Sequence, residues 1–165
     1  MPKRIVLDAG NDPVTEAELY CHQFRTMVAW FRDALDDLPQ DAYLWKPPTS
    51  ESNALASICQ HTIDASEWWV LKCVGSLPQE RDREVAFLPH TTWPTLRPRF
   101  DTWLADATTL VAPMTSRDLD SISRHPAGGK TARFCLAHAV EHMALHFGHV
   151  EATIDWWKAT SESAG

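Results

Sequence analysis

The sequence predicts an all-α protein, a four-helix bundle of 165 residues, and three observations carry that prediction. Apolar residues recur at three- and four-residue spacing in four long stretches, the period of a helix face turned toward a core. Capping and breaking residues stand near the ends of those stretches. No run of strict alternation competes as a strand, and no internal repeat is visible.

The first helix starts at Thr15-Glu16-Ala17-Glu18, a capping box with Thr at the N-cap and Glu three residues on. Tyr20, Phe24, Met27, Val28, Phe31, Leu35 and Leu38 then form one apolar face, and Pro39 stops it. The run Trp45-Lys46-Pro47-Pro48-Thr49-Ser50 cannot continue a helix and reads as a connection. A second helix fits residues 53–74, capped by Ser50 or Ser52 and followed by Gly75. Its inner face holds Leu55, Ile58, His61, Thr62, Ala65, Trp68 and Trp69.

Residues 76–94, punctuated by Pro78, Pro89 and Pro94, form the longest irregular stretch. The third helix carries Leu96, Phe100, Trp103, Leu104, Ala107, Leu110 and Val111, with Pro113 beyond its end. Pro98 leaves its start open, because it stands where the first or second turn belongs. Residues 114–130 read as a polar connection ending in Pro126-Ala127-Gly128-Gly129. A fourth helix is expected from a Thr131 cap to about Trp157, with a frayed tail over 160–165. The whole chain, 1–165, reads as a single domain with an N-terminal extension over 1–14.

Asp and Glu outnumber Lys and Arg by 22 to 15, a formal net charge of −7, so no basic surface for nucleic acid is in prospect. No run of about 18 apolar residues exists to span a membrane. The opening Met1-Pro2-Lys3-Arg4-Ile5-Val6-Leu7 begins like a signal peptide but meets Asp8 at once, too early for export. Cys21, Cys59, Cys73 and Cys135 are scattered without a C-x-x-C pair and read as reduced, mostly buried thiols. The expected location is the cytoplasm.

The chemistry lies in the histidines. His138, His142, His146 and His149 fall within twelve residues of the most apolar helix. At about 100° per residue, the last three lie roughly 40°, 80° and 20° around the helix from His138. One stripe facing the bundle interior therefore carries four imidazoles, and buried imidazoles without partners are costly. Histidines four residues apart can both reach one ion, and a neighbouring helix must supply a third ligand. His61 is the only histidine on the inner face of another long helix. Taken alone, it would more often be a hydrogen-bonded core residue.

The segment His138-x-x-x-His142-x-x-x-His146-x-Gly148-His149 resembles the signature of the DinB/YfiT-like superfamily. So do the earlier Leu38-Pro39, Trp45-x-Pro47, Ser57-Ile58-x-x-His61 and Glu67-Trp68-Trp69, in order and spacing across residues 20–157. The resemblance implies a helical bundle that binds one divalent metal ion through His61, His142 and His146. Where the family pattern ends in Gln, this sequence has His149, which leaves open whether His149 is a fourth ligand or supports the ligands from behind; whether His138 joins the ion is open as well. Zn, Ni, Fe(II), Co and Mn all suit three neutral imidazoles. Such a ligand set leaves a coordination position open, as catalytic sites do.

The resemblance also implies candidate activities. Some members are transferases or isomerases that use a low-molecular-weight thiol such as bacillithiol or mycothiol; others are described as metal-dependent hydrolases or as damage-inducible. The leading expectation is a metal-dependent thiol transferase acting on a small-molecule substrate. The alternatives are a hydrolase, with Glu141 as a weak candidate base, and a non-enzymatic metal-binding stress-response protein. A homodimer is expected from the family and from eight tryptophans, more than one small core needs.

Two rival motifs fail. His138-Ala139-Val140-Glu141-His142 spells the inverted zinc-protease motif, but only 23 residues follow His142, too few for that type of chain. Gly129-Lys130-Thr131 resembles the end of a phosphate loop, yet Arg124 stands where its first Gly belongs. Trp68 and Trp69 are expected mainly in core packing, Trp156 and Trp157 equally at a dimer contact. His22, His90 and His125 read as surface or loop residues, and Cys59 and Cys135 as packing residues.

Overall fold

Thr15 opens the first helix as its capping box dictates, in a computed structural model that describes residues 15–78 and 92–162. Thr15 Oγ1 accepts from the Glu18 N–H at 3.2 Å, and Glu18 Oε2 accepts from the Thr15 N–H at 2.8 Å. Helix α1 (Glu16–Leu35) ends before Pro39, not at it. A short helix α2 (Gln40–Leu44) follows, and its Tyr43 hydroxyl donates to the Leu35 carbonyl at 2.6 Å. That bond satisfies one of the carbonyls a helix end leaves without partners. Burial pushes the Tyr43 phenol up to about 12.

Helix α3 runs over Leu55–Ser66 and continues as a π-helical segment, Glu67–Val74. The expected serine cap is absent. Ala54 occupies the N-cap, and the Ser52 hydroxyl is turned back to the carbonyls of Pro47 and Thr49. Before the change of winding, the Thr62 and Ser66 hydroxyls donate to the carbonyls of Ile58 and Thr62, a competition that bends helices.

Helix α4 (Trp93–Val111) settles the open start: Pro94 sits in the first turn, where its missing N–H costs nothing, and Pro98 sits one turn inside. The stretch expected as polar connection contains a helix, α5 (Ser116–Leu119), set by a second capping box, Thr115 with Asp118. Those hydrogen bonds hold the Asp118 carboxyl below its ordinary range. Helix α6 (Ala132–Glu162) begins at the expected cap, with Thr131 Oγ1 accepting from the Phe134 N–H at 3.1 Å. It runs past Trp157 into the tail expected to fray, through Glu162. The expected N-terminal extension, residues 79–91 and the last three residues lie outside the described residues.

The four long helices α1, α3, α4 and α6 form the bundle, with α1 and α3 each packed against both α4 and α6. An aromatic column fills the centre. Phe31 meets Phe100 at 5.0 Å and Phe147 at 5.4 Å between ring centroids, and Phe24 meets Trp103 at 5.0 Å. Arg99 of α4 holds Asp64 of α3 at 2.8 Å and Glu67, the first residue of the π segment, at 2.6 Å. Burial raises the Glu67 carboxyl, and the Arg99 guanidinium opposes that rise. All four cysteines are buried free thiols, and burial pushes Cys59 up to about 12, as inert packing residues require. Among the described residues no helix is long and apolar enough to cross a membrane.

Candidate metal centre

The face of α3 that carries His61 packs against α6, and the register brings His61 opposite His142 and His146. His61 Nε2 lies 3.2 Å from His142 Nε2. Ring centroids are 5.0 Å apart for His61 and His142, 4.8 Å for His61 and His146, and 4.4 Å for His142 and His146. One nitrogen from each ring lies within 4.8 Å of the other two.

Three imidazoles bound tetrahedrally at about 2.0–2.1 Å would place their nitrogens about 3.3 Å apart. The His61–His142 separation is close to that value, and the His146 nitrogen lies within 4.8 Å of both. The residues therefore fit a divalent ion and could hold one.

Burial, and to a lesser degree the neighbouring His149, drives the His146 pKa down to about 4. His146 is thus neutral at pH 7, the form a ligand needs.

Neither of the other two histidines of the stripe joins the cluster. His138 sits one turn away, its ring centroid 6.0 Å from that of His142, with Nδ1 3.4 Å from Glu141 Oε2. His149 is exposed on the far side, its Nδ1 3.4 Å from His146 Nδ1. Glu141 fits poorly as a catalytic base, because its side chain is 78% exposed and turned to His138.

Beside the triad, Trp69 and His138 approach edge to face at 4.4 Å, and Phe134 stacks on His138 at 6.1 Å. His125, which does lie in a loop, stacks on Trp69 at 4.9 Å and meets Trp68 at 5.2 Å. Trp68 and Trp69 are half-buried and build this wall, so core packing accounts for only part of their role. The π segment shifts both tryptophans relative to the His61 face. In a regular α-helix Trp68 falls roughly 20° from His61 and Trp69 roughly 80°. At about 4.4 residues per turn, i→i+5 winding from Glu67 brings Trp69 to roughly 45° and moves Trp68 to roughly 40° on the other side. His22 is half-buried on α1, and His90 lies outside the described residues.

No curated protein matches the sequence. A crystal structure of a DinB-like protein from Bacillus cereus is similar in fold, with a TM-score of 0.66 and 14% identity over 84% of this chain and 91% of that one. A conserved protein from Enterococcus faecalis is similar too, with a TM-score of 0.64 and 13% identity over 84% of this chain and 95% of that one. Both likenesses concern the fold. The sequence over residues 23–150, which spans the His61, His142 and His146 cluster, matches the DinB superfamily, and the chain belongs to that superfamily.

Proposed function

We propose that the protein binds one divalent metal ion through His61, His142 and His146 and uses it in transferring a low-molecular-weight thiol. The observation that carries the metal reading is the convergence of three ring nitrogens from two helices within 4.8 Å. Two of them come from one rigid helix at i and i+4, so the site is held by the bundle. The thiol reading rests on the family resemblance and on a ligand set of three neutral side chains.

When bound, the ion supplies a Lewis-acidic centre that favours the thiolate form of a thiol at neutral pH. The chain's own residues hold and orient: three imidazoles fix the centre, and the wall of Trp69, His125 and His138 limits solvent on one side. The thiol sulfur bonds to the electrophilic substrate, the displaced group departs with the bonding electron pair, and the thiol proton passes to solvent. A homodimer belongs to the same reading, supported by Trp156, which is 46% exposed at the end of α6.

Cobalt-loaded protein tests the thiol step. Adding bacillithiol, mycothiol or glutathione is expected to produce a sulfur-to-cobalt charge-transfer band. The same thiol is expected to conjugate to a generic electrophile faster with wild type than with His142→Ala. A cobalt spectrum unmoved by all three thiols, with no thiol consumed, defeats the transferase reading while leaving the metal site standing.

A further inference from the structure

Three hydroxyl side chains lie buried along the regular part of α3, and two are satisfied in the ordinary way. Thr62 Oγ1 donates to the Ile58 carbonyl at 2.7 Å, and Ser66 Oγ donates to the Thr62 carbonyl at 2.8 Å. Ser57 is different. It is 1% exposed, and its Oγ is shielded from solvent with no hydrogen-bond partner among the described residues. The cause is local. Ser57 is the third residue of α3, so the carbonyl four residues back belongs to Asn53, ahead of the helix and outside its geometry. Leaving a buried hydroxyl without a partner is costly, and folded proteins rarely do so without a reason.

The register supplies the reason. Ser57 stands one turn before His61, on the same face of α3. Helical side chains lean toward the N-terminus, a direction that inclines residue 61 toward the turn that holds Ser57. Nε2 of His61 faces His142, and Nδ1 is the ring's other nitrogen, shielded from solvent. An imidazole that ligates through one nitrogen carries its proton on the other, and that N–H is commonly held by an acceptor. Oγ is the one polar atom of the Ser57 side chain, and Nδ1 is the ring nitrogen of His61 nearer the backbone, a pairing that the one-turn spacing favours.

We propose that Ser57 is a positioning residue of the metal centre: its hydroxyl accepts the Nδ1–H of His61 and fixes that ring with Nε2 aimed at the ion. The inference rests on the reading of His61, His142 and His146 as ligands. Its physical consequence is divided between two states of the protein. The hydroxyl weighs against stability when it has no partner and favours the metal-loaded state when it has one.

The test compares wild type with Ser57→Ala, each loaded with zinc and each stripped by a chelator. Competition against a chromogenic chelator is expected to show zinc bound about tenfold more weakly by the variant. The stripped variant is expected to melt at the same temperature as wild type or higher, because an orphaned hydroxyl has been removed. Nitrogen-15 NMR of the zinc-loaded proteins is expected to show a slowly exchanging His61 Nδ1–H in wild type and faster exchange in the variant. Zinc affinity within twofold of wild type, with unchanged exchange, overturns the proposal. So does a stripped variant that melts lower in proportion to its loss of zinc, which marks Ser57 as a packing residue. If wild type itself takes up no zinc, the ligand reading falls first and the Ser57 role with it.

Discussion

His142→Ala and His146→Ala are each expected to lose most of the metal that wild type carries, about one ion per chain. The two rings project from adjacent turns of α6, and no other histidine among the described residues reaches the same cluster. Removing one of three ligands leaves two, below the number that holds zinc in either structural or catalytic sites. His61→Ala is expected to weaken binding substantially, because it removes the one ligand that ties α3 to the ion. His125→Ala is expected to keep its metal, since that ring packs on Trp69 and not in the triad. Elemental analysis of the purified variants reads the result, and full retention in both α6 variants contradicts the site.

Acid is expected to destabilise the chelator-stripped protein through His146. Its pKa in the folded chain is lowered to about 4 from an ordinary 6.5, first by burial and then by His149. Between those two values the unfolded chain binds the proton and the folded chain does not, so stability falls as pH falls through that window. Above about 6.5 and below about 4 the contribution is flat. A shift of this size, discounted for the ring's partial exposure, corresponds to about 1–3 kcal/mol. Urea unfolding at pH 7 and pH 4.5 measures it, and His146→Gln isolates it from the carboxylates that also titrate. The variant is expected to lose less stability over that interval than wild type. Equal losses in the two proteins would assign the acid sensitivity elsewhere.

The parts of the fold legible in the sequence are those set by local chemistry. Thr15 and Glu18 announce α1, Thr131 announces α6, and the apolar spacing of Phe24, Phe31 and Phe100 marks residues that indeed fill the core. The box of Thr115 and Asp118 was equally local, and a single turn within a polar stretch offers no periodicity to draw attention to it. The serine cap expected for α3 fails because Ser52 found nearer carbonyls in its own turn.

At the site, the i, i+4 histidines were readable as one stripe, and the family resemblance singled out His142 and His146 among the four. The wall beside them was not readable. His125 reaches Trp69 from more than fifty residues away, and the π segment turns both Trp68 and Trp69 away from the positions that regular helical spacing assigns them. Periodicity assumes one winding throughout, so a local change of winding is invisible to it. Ser57 stood within the recognised run of residues, but its role depends on burial and on a missing partner, which only coordinates reveal.

The most direct measurement is X-ray absorption at the zinc edge of the purified, zinc-loaded protein. Three imidazole nitrogens at about 2.0–2.1 Å from the ion are expected. In His142→Ala the same signal is expected to fall with the zinc content itself. A first shell of sulfur, or of oxygen without three imidazoles, would contradict the central claim that His61, His142 and His146 hold the ion.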